Sequence, residues 1–323
     1  MDKLFFELLQ VSAGQKDCLD YGPSYQQWQE LYRMAREHEL TGVCYRGVER
    51  LFDYGLRAPQ DLIIDWMADA EAIKSSHAQL KKRSQKLQEK RLERGIRSSI
   101  LRGQGGSAFY REELQELYQT DGLDVLLDCS KERAVKFVRL TGQTHVSPAY
   151  CRLPLAVWDQ VDVMLYYKLG IVRNRLKTRR LRKFFKQNRE LLFAREGELT
   201  LPTVTMSVFC VLLYTMQRFL YEGMSMRQVF DYYFVLQKAE GHFEPFKNDV
   251  TIGQVLKECG MQRFAQGLMW VLQETMDLSQ AYMPCEPLEQ EGKFLLQEIM
   301  ARQHSRLHLL LHYPVDTLWG LMG

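Results

Sequence analysis

The sequence predicts an α+β (mixed α/β) fold in which a small mixed sheet, residues 95–170, lies between an N-terminal helical region, 1–94, and a C-terminal helical domain, 171–323. Three observations carry this reading. Apolar residues recur at three- and four-residue spacing through the first ninety-odd positions. A glycine cluster then breaks the pattern beside short, partly β-branched runs. Helical spacing resumes beyond Lys168.

In the N-terminal region Trp28, Leu31, Tyr32 and Ala35 fall at i, i+3, i+4 and i+7, and Leu40, Val43, Cys44, Val48 and Leu51 continue a similar stripe, so each run buries one helix face. Pro59 stands where a helix start tolerates proline. From Asp61 to Arg94 the positions Trp66, Ala70, Ile73, His77, Leu80, Ser84 and Leu87 alternate four and three apart, which predicts one long helix. Its far half carries Lys81, Lys82, Arg83, Lys86, Lys90, Arg91 and Arg94, read as a basic surface away from the stripe.

Ile96 to Leu101 is a strand candidate, and it runs into Arg102-Gly103-Gln104-Gly105-Gly106-Ser107, a composition that no helix interior selects. Arg111 to Tyr118 is helix-like. Asp121 to Leu127 reads as a second strand and Lys131 to Leu140 as a helix. Leu155 to Trp158 and Val161 to Tyr167 are further strands, joined by Asp159-Gln160 as a turn. Helices are then expected over Arg173–Arg189, Val208–Tyr221, Met226–Gln237, Ile252–Cys259, Phe264–Met276 and Leu288–Leu311. The first of these packs nine Lys and Arg around Leu176, Leu181, Phe184 and Phe185. Its long side chains either snorkel over the core or present a basic face to a polyanion.

Composition narrows the function. The 43 basic and 40 acidic residues leave a net charge of +3, so any preference for anions must come from local clusters. Seven scattered cysteines without a CxxC pair argue against a disulfide framework and a zinc ribbon, and a reducing cytoplasm is the expected location. The first residues lack a basic segment and a sustained apolar core, unlike a signal peptide. The apolar run Val204–Met216 is shorter than the roughly 20 residues a membrane span needs, so no membrane partner is expected. The glycine cluster is neither a Walker A loop nor a dinucleotide fingerprint, and there is no Gly-x-Ser-x-Gly elbow.

Read together, Leu101-Arg102-Gly103-Gln104-Gly105, Gly122-Leu123-Asp124-Val125 and Val161-Asp162-Val163 resemble the uncharacterised nucleotidyltransferase family, a branch of the polymerase-beta-like superfamily. That family has a Leu-Lys-Gly turn after its first strand, an Asp-Ile-Asp strand further on, and a third acid on a later strand. The segment from Glu222 to Tyr233 is similar to the family's Gly-x-x-Leu-Arg-x-x-x-Asp helix, and the resemblance covers roughly residues 5 to 240. It implies a small mixed-sheet nucleotidyltransferase core, a nucleoside triphosphate as substrate, Mg²⁺ as cofactor, and an acceptor that is a protein, a small molecule or a nucleic acid.

The chemistry accounts for these residue types. Carboxylates two apart on a strand share a face, and with a third they hold two Mg²⁺ ions about 3.5–4 Å apart that clamp a triphosphate. By the resemblance, Arg102, Gly103, Gln104 and Gly105 take the phosphate-turn role, Asp124 and Asp162 are the second and third metal-binding carboxylates, and Arg227 reaches the nucleotide from the helical domain. Gly122 stands where the first acid belongs. Asp121 is one place off and would face the other way in a regular strand, unless a bulge turns it inward. The family's histidines are replaced by Met164 and, in the later helix, by Tyr214 and Arg218. Arg102 keeps the charge of the usual lysine but not its shape.

Three functions follow. The chain transfers nucleotidyl groups, or it is a catalytically silent relative serving as a binding or scaffolding module, or it binds nucleic acid through the basic helix. Two weaker features remain: Arg227 and Asp231 are spaced for an ordinary helical ion pair, and His304, His308 and His312 recur every four residues as candidate metal ligands in a helix that Pro314 ends.

Overall fold

The computed structural model describes residues 1–120, 122–140, 151–155, 162–170, 172, 174–196, 199–301 and 306–314. Four helices open it: α1 (Asp2–Ser12), α2 (Tyr25–Glu37), α3 (Thr41–Asp53) and α4 (Gln60–Leu92). Ser24 and Gln27 close a reciprocal capping box that fixes the start of α2. The stripe in α4 is buried as the spacing predicts, from Leu62 and Trp66 through His77 to Leu87. Arg91 departs from the basic surface expected of this helix. It lies four residues beyond Leu87, on the stripe itself, and is buried with Nε and Nη1 unpartnered, so desolvation lowers its pKa to about 10.

The sheet joins β1 (Ser98–Arg102), β2 (Gly122–Leu127), β3 (Arg152–Leu155) and β4 (Asp162–Tyr166) in the order β1-β2-β4-β3. β1 and β2 are antiparallel, β2 and β4 parallel, β3 and β4 antiparallel, so the sheet is mixed. Against the expectation that the glycine cluster avoids helix, one helical turn, α5 (Gln104–Ser107), follows β1, too short to incur much of glycine's entropic cost; α6 (Glu112–Gln115) also follows β1, and α7 (Lys131–Arg139) follows β2. Only one turn of the helix expected over Arg111–Tyr118 forms. β3 begins three residues earlier than the sequence suggests, with Pro154 inside it. Proline donates nothing to a ladder, and β3 is an edge strand, where this is tolerated. Residues 156–158 and the expected Asp159-Gln160 turn lie outside the described residues.

The basic helix α8 (Arg175–Gln187) leads to an antiparallel ribbon, β5 (Ala194–Glu196) and β6 (Leu199–Leu201), too short to leave a pattern in the sequence. Then come α9 (Val204–Tyr221), α10 (Met226–Ala239), α11 (Ile252–Glu258), α12 (Gln262–Met276), α13 (Glu289–Ala301) and α14 (Arg306–His312). The last two fall within the span expected to be helical over Leu288–Leu311 and reach His312, with 302–305 between them outside the described residues. Among the described residues, α9 is the one helix long and apolar enough to cross a bilayer, and Phe209, Leu212, Leu213 and Met216 are buried in the core.

Two apolar clusters organise the chain. One holds the inner face of the sheet and α7, with Leu123, Val125 and Leu127 against Phe137. The other is continuous from Leu4 of α1 through Phe230 of α10 to Tyr313, so the helices that precede the sheet and those that follow it share a core. Gln10 of α1 donates to the Thr275 carbonyl of α12 at 3.1 Å across that junction. α4 belongs to both clusters: Leu62, Trp66 and Ala70 lie in the helical core, and Leu80 and Leu87 under the sheet.

Candidate functional site

Strand alternation places Asp124. Leu123, Val125 and Leu127 point into the sheet core, so Asp124 and Leu126 point the other way, toward the C-terminal helices, where Leu126 joins the helical core. Arg102 is the Cα partner of Asp124 across β1 and β2, and the register shifts between Ile100 and Arg102. Such a bulge re-aims a side chain. Here it sets Arg102 Nε 3.1 Å from Asp124 Oδ2, with the two side chains 21% and 9% exposed. Arg102 Nη1 also donates to the Tyr214 hydroxyl of α9 at 2.8 Å, and its guanidinium carbon lies 5.3 Å from the Tyr214 ring centre.

These groups line a cleft of about 130 Å³ between the sheet and α9–α10, together with Tyr118, Tyr166, Lys168 and Asp231. Burial, with Asp124 nearby, pushes the Tyr166 phenol up to about 12. Asp231 accepts the Tyr110 hydroxyl at 2.6 Å; burial raises its carboxyl pKa, while Arg227 and that hydrogen bond pull the other way.

Arg227 does not line this cleft. It is 3% exposed, and its Nε meets Glu39 Oε2 at 2.9 Å while Nη1 donates to the Gln119 carbonyl at 2.9 Å. Burial opposes its charge, but Asp231, Tyr118 and Glu39 outweigh that and raise its pKa. The carboxylate in contact with it is thus 188 positions away in sequence, while Asp231, one turn along the helix, acts on its charge from further off.

The glycines of the turn are explained by packing. Gly103 has φ +84°, and a Cβ there would lie 2.7 Å from the Gly122 carbonyl oxygen. At Gly105 it would come 2.9 Å from the Ile100 carbonyl oxygen, and at Gly106 it would strike the Tyr118 hydroxyl. Gln104 begins α5, and its side chain lies outside the described residues.

Of the other expected ligands, Asp162 opens β4 with Gly122 as its Cα partner, two residues before Met164, the partner of Asp124. The two acids thus occupy neighbouring parallel strands; the Asp162 side chain and all of Asp121 lie outside the described residues. Among the described residues no three His, Cys, Asp or Glu side chains converge as a metal site. His308 meets Glu298 at 3.0 Å and His312 meets Glu291 at 2.8 Å, so these two address different carboxylates; His304 lies outside the described residues.

In α8, Leu181, Phe184 and Phe185 are buried, whereas Leu176 is 67% exposed. Part of the basic charge is structural: Lys177 donates to the Gly260 carbonyl at 3.0 Å and Arg180 to the Glu258 carbonyl at 2.8 Å, at the C-terminal end of α11, where cations are favoured. Arg179, Lys183 and Lys186 are exposed. Reversing these three to Glu is expected to lower the salt at which the protein elutes from heparin and to flatten the salt dependence, because every phosphate left unneutralised takes about 0.9 off the slope on B-DNA. Unchanged elution would mark the face as merely solvated.

Against models of protein families, curated proteins and solved structures, the chain matches none.

Proposed function

We propose that this chain is a nucleotidyltransferase-like protein that no longer transfers nucleotidyl groups and instead binds a phosphorylated ligand as a silent relative. The observation that carries this reading is the Arg102–Asp124 pair at 3.1 Å. In the resemblance drawn from the sequence, Asp124 serves Mg²⁺. Here a guanidinium neutralises that carboxylate and is anchored in turn by Tyr214. Gly122 supplies no ligand where the first acid would stand. Among the described residues this donor set does not fit a two-metal cage, which needs several anionic oxygens left to the ions.

The cleft supports binding of a limited kind. At about 130 Å³ it is smaller than the roughly 300–1,000 Å³ typical of small-molecule sites, so it suits one end of a ligand. Arg102 is shared with Asp124, and Asp231 is offset by Arg227 behind it, so among the described residues Lys168 is the cation left for a single phosphate.

Calorimetric titration of ATP with and without Mg²⁺ tests the reading. The natural protein is expected to bind ATP weakly, with affinities in the two conditions within about twofold, and to transfer no radiolabel. The double variant Gly122→Asp with Arg102→Gln restores an Asp-x-Asp spacing and releases Asp124, and is expected to gain Mg²⁺ dependence of about tenfold, roughly 1.4 kcal/mol. Tenfold Mg²⁺ enhancement with label transfer in the natural protein would overturn the silent reading in favour of an active enzyme.

A further inference from the structure

A larger cavity, about 450 Å³, opens between the end of α2, the middle of α4, residues 118–120 and the first turn of α10. Its volume falls in the range that holds small ligands. Arg227 lines it from a position almost wholly withdrawn from solvent. The residue that grips Arg227 is Glu39, which adopts φ +59°, a left-handed conformation disfavoured for a non-glycine residue. Glu39 Oε2 takes both Arg227 Nε and, at 3.4 Å, the Ser225 hydroxyl, which leaves Oε1 for another donor; the side chain is 41% exposed. On the facing helix Asp69 Oδ2 takes the Tyr32 hydroxyl at 2.8 Å and lies 3.7 Å from Arg36 Nε.

The charges lining this cavity cancel. Arg36 and Arg227 are matched by Glu39 and Asp69, and burial lowers the pKa of His77, which favours its neutral form. A polyphosphate would find no surplus positive charge. The remaining surface combines an apolar wall, Ala72, Ile73 and Leu80, with Tyr118, Ser76 and Thr120. Carboxylates that accept, guanidinium groups that donate and an apolar wall beside them match a molecule whose hydroxyls both donate and accept around C–H faces.

We propose that this cavity binds a neutral mono- or disaccharide, held by Glu39, Asp69 and Arg227 and packed on Tyr118 and Ile73. The site is separate from the Arg102–Asp124 cleft and does not depend on whether that cleft is silent. Tyr118 lines both, so a sugar in the one contacts a wall of the other.

The test is ligand-detected saturation-transfer NMR on the full chain with glucose, galactose, mannose, N-acetylglucosamine, maltose and cellobiose, with glutamate and ATP as charged comparators. At least one saccharide is expected to bind more tightly than about 1 mM. Asp69→Asn should weaken it about tenfold, as removal of a charged hydrogen-bond partner does. Ser76→Trp, on an exposed stretch of α4 that lines the cavity, should abolish it by occupancy alone while leaving the thermal midpoint unchanged. Because Ser76→Trp alters neither Glu39 nor Arg227, its loss of binding cannot come from breaking their pair. The proposal is overturned if no saccharide on the panel binds, if binding survives Ser76→Trp, or if glutamate or ATP is the ligand that Ser76→Trp displaces.

Discussion

Asp124→Ala is expected to lower the unfolding free energy by about 3 kcal/mol, read from the urea midpoint at constant slope. The substitution leaves the Arg102 guanidinium in a largely dry cleft with its charge uncompensated, and removing one member of a buried pair costs far more than the pair itself contributes. Replacing both members, Arg102→Met with Asp124→Leu, should recover most of the loss, because similar apolar volume substitutes for a desolvated ion pair at little net cost. The sign separates the two views of this residue. An aspartate held ready for Mg²⁺ among other acids suffers like-charge repulsion in the metal-free protein, so its removal would stabilise the fold. A stabilised Asp124→Ala variant would therefore refute the structural pair on which the silent reading rests.

Gly103→Ala comes second, with an expected loss of about 2–4 kcal/mol. The backbone at φ +84° disfavours any Cβ, and the new atom would lie 2.7 Å from the Gly122 carbonyl oxygen, which is backbone and also accepts the Thr120 hydroxyl at 3.0 Å. Gly105→Ala meets a similar obstacle at 2.9 Å from the Ile100 carbonyl oxygen but has no positive φ to add strain, and its loss should be smaller. Thermal melts of the two variants, compared at matched concentration, check the ordering. If Gly103→Ala melted like the natural protein while losing ATP affinity, the turn would be serving a phosphate and not the packing of β1 on β2.

What is legible in the sequence is periodic. The long α4, the core of β2 and most of the C-terminal helices follow from spacing and composition, because burying one face of an element leaves a regular trace. Arg91 reads as surface only when charge is weighed above position: four residues from Leu87, it continues the buried stripe. Pro154 hides the start of β3, since proline argues against a strand until the strand is known to lie at an edge. The site is less legible because its contacts are long-range. The Arg102–Asp124 pair depends on a bulged antiparallel register, and no local spacing reports it. Tyr214 stands out only as a departure from the family pattern, and its hydrogen bond to Arg102 requires α9 to be laid over the sheet. Arg227 has a correctly spaced local acid in Asp231, and the carboxylate that meets its Nε, Glu39, comes from the far end of the chain.

The docking of α1 on α12 has a consequence for how the protein is made. From Ser12 to Gln262 is 250 residues, which a ribosome adding about 5–20 residues per second needs roughly 13–50 s to synthesise. Through that interval the part of the α1–α3 surface destined for α12 has no cover, and the nascent chain must carry it exposed. Slowing translation between α4 and α12 lengthens that exposure without altering a single native interaction.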